Sequence, residues 1–447
     1  MESLPSNAAV QCQDFAQSIT LAEFTAASSE LRQVGVSYDL ALGAPILYKR
    51  DWVALEKAWN AVSEGVQLLI RASDRLEVLA QLLRLPEELV PMWDAYPPQA
   101  WNLVARPDFV ISESGWSIVD INAHSLAGHF PLNDLLIRAQ EDAARRSLIT
   151  EAAPRPVMDK YAAMLRRCLQ RESDLIVLAY FGSEDELPGG NASRWHMDAQ
   201  AYELAKRGLS AVVAPVENLQ IEKRHMVLDG VAVGVVQRFF LPAPGEPDKI
   251  QQAVRIGRAC GDGSGHVVTS MRGELLNTKG TLAVLSDESI TSALGTRLAQ
   301  TLGAVVPWTR FVEDRPATRD GERVDLLEWV AGNRDQLVLK PSLGTMGQQV
   351  TIGREVTREA WESALQDALG AQEPWVVQEL RESLYHSLRF LDRDGDTHEV
   401  SGPAVYGAYV LDGYLCGAIC RYGRWGSSSL MINGTTGAIP SPVYWHK

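Results

Sequence analysis

The stretch Leu339–Lys340–Pro341–Ser342–Leu343–Gly344–Thr345–Met346–Gly347–Gln348–Gln349–Val350 ends an apolar run on a lysine, turns through a short loop with two glycines, and enters a second apolar run. It reads as strand, loop, strand, with Gln336–Lys340 the first strand and Val350–Ile352 the second. Glycine lets a backbone approach a ligand and aim N–H groups at phosphate oxygens, and the adjacent lysine supplies a mobile charge for the same oxygens. A Walker loop would need Gly-Lys-Ser/Thr opening a helix. A dinucleotide site would need Gly-x-Gly-x-x-Gly opening a helix. Here a strand follows the loop. An ordinary hairpin with an exposed lysine competes for the same residues.

Downstream, Thr357–Leu369 has the spacing of an amphipathic helix. Trp375–Val376–Val377–Gln378–Glu379–Leu380 is an apolar strand closing on polar residues, suited to presenting backbone groups to an adenine edge. A plain buried strand is the competing reading. Gly407–Arg421 reads as strands, and Ile432–Asn433–Gly434 follows a Gly/Ser-rich loop. Upstream, Lys279 opens the apolar segment after Asn277–Thr278 and is a second candidate phosphate lysine.

A hairpin lies much earlier in the chain. Asp108–Ser112, a Glu113–Ser114–Gly115 turn and Trp116–Asn122 form two β-branched arms around a polar turn. Its adjacent arms bring Asp108 close to Asp120 and Asn122, which are two apart and so share a strand face. Such oxygen donors suit Mg²⁺, which takes one or two carboxylates plus substrate phosphates. Turn-proximal polar side chains are the plain alternative. Arg106, two residues before Asp108, projects to the same face and has the fork for a carboxylate or phosphoryl group. His124 and His129 are five apart, the wrong spacing for a helix-borne zinc pair, and read as loop residues.

The remaining chain frames these motifs. Residues 1–98 read as mainly helical, with Pro86 and Pro97–Pro98 as punctuation, and residues 99–150 hold the hairpin. Residues 151–268 contain a buried strand at Asp174–Phe181, a Gly-rich loop, a helix through Ala201–Arg207 and a strand at Ser210–Pro215. That is one βαβ unit of a Rossmann-like lobe. Val227–Val231 reads as a hairpin turn. Residues 269–447 alternate strands and helices. A chain of 447 residues with 46% hydrophobic and 22% charged residues suits a multi-lobed globular protein. A net charge of −14 argues against a nucleic-acid partner. No run approaches the roughly 18 apolar residues that span a membrane, and the N-terminus lacks a secretory pattern. The five cysteines are few and scattered, and Cys416 and Cys420 read as buried thiols on one strand face. A reducing cytoplasm fits that usage.

Together these residues resemble the ATP-grasp superfamily, in the circularly permuted branch that includes glutathionylspermidine synthase. Arg106-Pro-Asp108 and Asp120-Ile-Asn122-Ala123 resemble that family's Arg-x-Asp and Glu-x-Asn-Ala stretches. Asp120 stands where Glu is usual, one methylene shorter. Asn277-Thr-Lys279 with Ala283–Asp287 resembles the first ATP lysine and its helix, and Val306–Thr309 the strand end that follows. Lys340–Gly347 resembles the second lysine and the phosphate-covering flap, and Val377–Leu380 the adenine hinge. The segments fall at about 100–130 and 270–440.

The resemblance implies an α/β (α+β), circularly permuted ATP-grasp fold with a Rossmann-like substrate lobe and a helical N-terminal region. It implies an ADP-forming ligase that joins an amino acid to a second amino acid or amine through an acylphosphate, using ATP and two Mg²⁺. Asp108, Asp120 and Asn122 would hold metal. Lys279, Lys340, Ser342, Gly344, Thr345, Met346, Gly347, Gln378, Glu379 and Leu380 would hold the nucleotide. Arg106, Arg421 and Lys340 would act in catalysis. The expected partners are small amino-acid and amine substrates, with neither nucleic acid nor membrane; a homodimer is compatible. No fused cysteine–histidine amidase is expected. A phosphotransferase on the same scaffold and a non-catalytic nucleotide-binding protein stay open as alternatives.

Overall fold

The computed structural model describes residues 11–14, 40–72, 76–96, 104–123, 130–146, 151–182, 191–222, 225–263, 265–344, 347, 349–392, 396–424, 429–432 and 436–446. The motif residues Thr345, Met346, His124, His129, Asn433 and Gly434 lie outside them.

The hairpin forms as its pattern requires. Val104–Ser112 pairs antiparallel with Gly115–Asn122, setting Asp108 opposite Asp120 and Arg106 opposite Asn122. The register shift between Asp108 and Phe109 leaves Val119, on the second arm, as the extra residue without a partner in this ladder. The hairpin does not stand alone. Its first arm adds to the 15-residue strand Thr397–Leu411, with Gly407 opposite Asp108. That strand also pairs with Tyr385–Leu391 along its first half and with Tyr414–Tyr422 along its second. It starts ten residues before the reading of Gly407–Arg421. The same large sheet holds Leu40–Ala41 and Ile439–Pro442. Asp412 and Gly413, both at positive φ, make the tight turn into Tyr414–Tyr422.

A register shift near Tyr409 leaves Cys416 without a partner in that ladder. It turns Cys416 into a different apolar cluster from Cys420. The two buried thiols therefore do not share a face, contrary to simple alternation, because the bulge resets the period of two.

A second, antiparallel sheet runs in the order Thr309–Phe311, Trp375–Glu379, Leu337–Pro341, Thr351–Ile352. Lys340 thus sits near the end of a central strand. The helix Arg358–Gly370 covers one face, capped by Thr357, whose hydroxyl accepts from Ala360 N–H. Trp361 is fully buried and its indole N–H donates to Val330 O at 3.1 Å. It packs in one cluster with Leu337, Leu339 and Val377.

A third sheet has a parallel heart. Leu175–Tyr180 lies between Ala211–Pro215 and Val231–Arg238, and His266–Val268 runs parallel to the last. The apolar strand and βαβ reading of this stretch match that arrangement, although the connecting helix, Asn191–Ala205, starts earlier than expected. Asp229 and Gly230, both at positive φ, turn His225–Leu228 into Val231–Arg238.

A fourth sheet joins Gln11–Asp14, Gly43–Leu47, Tyr444–His446 and Ala152–Pro154. The stretch read as mainly helical therefore also contributes strands: Gln11–Asp14 pairs with Gly43–Leu47, which in turn pairs with Tyr444 and Trp445. The long helix Lys49–Ala72 follows them. No helix among the described residues is long and apolar enough to cross a membrane.

Trp361→Ala removes a fully buried tryptophan from the cluster under the lysine-bearing sheet. It is expected to destabilise the protein by roughly 3–5 kcal/mol in denaturant unfolding.

Candidate functional site

Arg106 and Asp108 on one strand and Arg421 on another, the two flanking Thr397–Leu411, build a buried charge cluster. The Arg421 guanidinium stands 2.7 Å from Asp108 Oδ1, and Arg106 Nε donates to the same oxygen at 3.2 Å. Asn122 Nδ2 donates to Asp108 Oδ2 at 3.2 Å and to Arg106 O at 3.3 Å. Gly407 makes this possible, since a Cβ there would meet Arg106 Cδ at 2.6 Å. Burial alone would raise the Asp108 pKa, but Arg421 and Arg106 hold it below the usual carboxylate value. In return Asp108 raises that of Arg421 against the cost of burial.

The lysines arrive from the last third of the chain. Lys340 Nζ donates to Val119 O at 3.2 Å and to Gln378 Oε1 at 2.7 Å. Gln378 is fixed in turn by donating to Thr309 Oγ1 at 3.2 Å. Lys279 Nζ lies 3.6 Å from Asp120 Oδ1 and donates to Gly344 O at 2.8 Å. Lys279, Lys340, Gln378, Asp120 and the Arg106–Asp108–Arg421 cluster face one cavity of about 1150 Å³. That exceeds the pockets of roughly 300–1,000 Å³ that typically enclose one small ligand.

Several expected site residues act differently from their sequence reading. Ser342 is fully buried. Its Oγ contacts Thr278 Oγ1 at 2.9 Å and accepts from Gly280 N–H at 3.1 Å, while its carbonyl accepts from Lys279 N–H. It therefore locks the loop to the helix Lys279–Leu285 and does not line the cavity. Gly344 and Gly347 do line it, and Gly347 has positive φ. The N–H groups of Glu379 and Leu380, assigned to an adenine edge, already donate to Trp308 O and Gln336 O. The Glu379 carboxylate pairs with Arg319 and Arg381, each at 3.3 Å. Strand register and long-range pairing impose these commitments, which composition does not reveal.

Mg²⁺ takes hard oxygen donors that are not already engaged. Both oxygens of Asp108 are engaged, so it anchors the arginines and offers no open ligand as it stands. Asp120 Oδ1 accepts from Ile121 N–H at 3.0 Å. Among the described residues, Asp120 Oδ2 and Asn122 Oδ1 accept no hydrogen bond, and both residues line the cavity. These are hard oxygen donors, and Mg²⁺ needs only one or two carboxylates besides phosphate and water. No group of three His, Cys, Asp or Glu among the described residues could hold a metal by itself.

Sequence reading missed His196, Arg238 and Glu274, which also line the cavity. Burial, then the nearby Arg106, pushes His196 down to about 4, so it is neutral near pH 7. Arg238 is wholly buried; its three nitrogens donate to Thr269 O, Phe240 O and Glu274 Oε1. Burial raises the Glu274 pKa against the opposing pull of Arg238. A lone arginine closing the apolar run Val231–Phe239 was the available signal for this pair.

No protein-family model and no curated protein matches the chain. Among solved structures, a glutathione synthetase-like effector from Globodera pallida, in apo form, aligns with a TM-score of 0.63 at 13% identity, covering 97% of this chain and 98% of its own. D-alanyl-alanine synthetase A from Vibrio cholerae aligns at 0.30 and 13% identity, covering 59% and 74%. The ATP-grasp ligase PsnB, complexed with minimal precursor, aligns at 0.29 and 12%, covering 61% and 89%. The near-complete alignment with the first shows a shared fold, and the chain has the same mixed α/β architecture.

Burial pushes the Lys340 ammonium down to about 8, with Lys279 adding to the fall and Asp120 and Asp108 opposing it. Its folded pKa lies below the unfolded one. The stability cost of keeping it charged is therefore present below about 8 and fades as pH rises from there toward the usual lysine value. Anion binding has the opposite dependence, because it needs the charge. Affinity for inorganic tripolyphosphate, measured by calorimetry, should fall as pH rises above about 8. Lys340→Arg, with its permanently charged guanidinium, should largely remove that fall.

Proposed function

We propose that the chain is an ATP-dependent carboxylate–amine ligase that forms an amide between an amino acid and a second amino acid or amine. The observation carrying this reading is the 3.6 Å approach of Lys279 to Asp120. It brings a nucleotide-type lysine beside an open oxygen donor in a cavity large enough for more than one ligand. The order of the parts supports the circularly permuted branch: the oxygen-donor hairpin precedes both lysines in sequence, yet completes the sheet of Thr397–Leu411.

The physical obstacle in such a reaction is repulsion between a substrate carboxylate and a triphosphate. In this reading, Lys279 and Lys340 bind the phosphates, and Asp120 and Asn122 hold Mg²⁺. When bound, the metal neutralises phosphate charge and stabilises the transferring group. Asp108 keeps Arg106 and Arg421 in place, with the guanidiniums positioned for the developing negative charge. The carboxylate oxygen attacks the γ-phosphorus and ADP leaves. The neutral amine nitrogen then attacks the acyl carbon and phosphate leaves, with one proton lost from nitrogen. The loop containing Gly344 and Gly347 would cover the phosphates and keep water from the activated acyl group.

The wild-type chain, given ATP, Mg²⁺ and mixtures of amino acids and amines, should release ADP together with a product whose mass equals the two substrates less water. Lys340→Ala is expected to lower that turnover by ~10²–10³-fold. A phosphorylated product without amide would replace the ligase reading with phosphotransfer. No ADP release with any mixture would end it.

A further inference from the structure

The Lys340 side chain belongs to a row that crosses three strands of its sheet. Gln378 lies opposite Thr309 on one side and opposite Val338 on the other. Lys340 is two residues beyond Val338, so it shares that face and reaches Gln378 on the diagonal. Lys340 and Gln378 line the cavity. Thr309 is wholly buried on the far side of Gln378 and does not line it.

The protons along this row have fixed destinations. The single hydroxyl proton of Thr309 goes to Pro307 O at 2.8 Å. Toward Gln378 that hydroxyl can then only accept. It takes an amide N–H of Gln378 at 3.2 Å, which leaves the amide oxygen for the Lys340 ammonium at 2.7 Å. The two ends of an amide differ little in shape, and the hydrogen-bond network around them decides the orientation. Turned the other way, Gln378 would point N–H groups at an ammonium that has no lone pair to accept them. Of the three Lys340 N–H bonds, Gln378 Oε1 and Val119 O take two, and the third remains for a ligand in the cavity.

We propose that Thr309 is a positioning residue for phosphate binding: its hydroxyl fixes which way the Gln378 amide faces, and that amide aims the Lys340 ammonium at an anion in the cavity. The proposal rests on the reading that Lys340 binds phosphate, and it adds a residue that touches no ligand.

The test is calorimetric titration of inorganic tripolyphosphate, without metal, into the full chain at neutral pH. Thr309→Val is nearly isosteric and removes the hydroxyl. It should weaken binding about tenfold, whereas Thr309→Ser, which keeps the hydroxyl, should stay within about threefold of wild type. A role confined to packing would act whether or not Lys340 is present. In the Lys340→Ala background, Thr309→Val should therefore change affinity by less than about twofold. Thermal unfolding checks that each variant is folded, and Thr309→Ala replaces the valine variant if that one is not. The proposal is overturned if Thr309→Val binds tripolyphosphate as wild type does, if Thr309→Ser is as weak as Thr309→Val, or if the loss is the same without Lys340. If Lys340→Ala alone binds tripolyphosphate as tightly as wild type, the assignment of Lys340 to phosphate fails and this proposal fails with it.

Discussion

Everything proposed for this site depends on one long-range contact. The ammonium of Lys340 reaches the backbone carbonyl of Val119 across 221 residues of sequence, one residue before Asp120. It joins a central strand of one sheet to the hairpin completing another, and it does so with a buried charge. Burial works against that charge, as the lowered Lys340 pKa records. A protein gains little stability from an ammonium held in this way. A polyanionic ligand in the adjoining cavity would give the charge a partner, and that account makes sense of its position.

The hairpin side shows complementary logic. Two guanidiniums converge on Asp108, which neutralises one of them and keeps both fixed. On the other arm, Asp120 Oδ2 and Asn122 Oδ1 accept no hydrogen bond among the described residues. The cluster therefore separates two tasks that residue types alone cannot distinguish. One carboxylate organises cations, and the second faces the cavity beside Lys279. Gly407 belongs to this arrangement because any side chain there would collide with Arg106.

Much of this was legible in sequence where periodicity or turn chemistry carries information. Strand alternation placed Asp120 and Asn122 on one face, and the apolar run of Leu337–Leu339 located Lys340 near a strand end. Other features depended on contacts between distant residues. The inward turn of Ser342 is set by Thr278, 64 residues away, and no local signal distinguishes it from a loop serine facing ligand. The Arg238–Glu274 pair joins residues 36 apart. The committed N–H groups of Glu379 and Leu380 follow from their approach to Trp308 and Gln336. A single bulge reversed the expected facing of Cys416, and strands near the two ends of the chain met only in three dimensions.

The most direct measurement of the central claim is a crystal structure of the chain with ADP and Mg²⁺. The account predicts a metal at roughly 2.1 Å from oxygens of Asp120 and Asn122, with the diphosphate between it and the ammonium groups of Lys279 and Lys340. A nucleotide bound elsewhere, or bound here with its metal away from the hairpin, would contradict it.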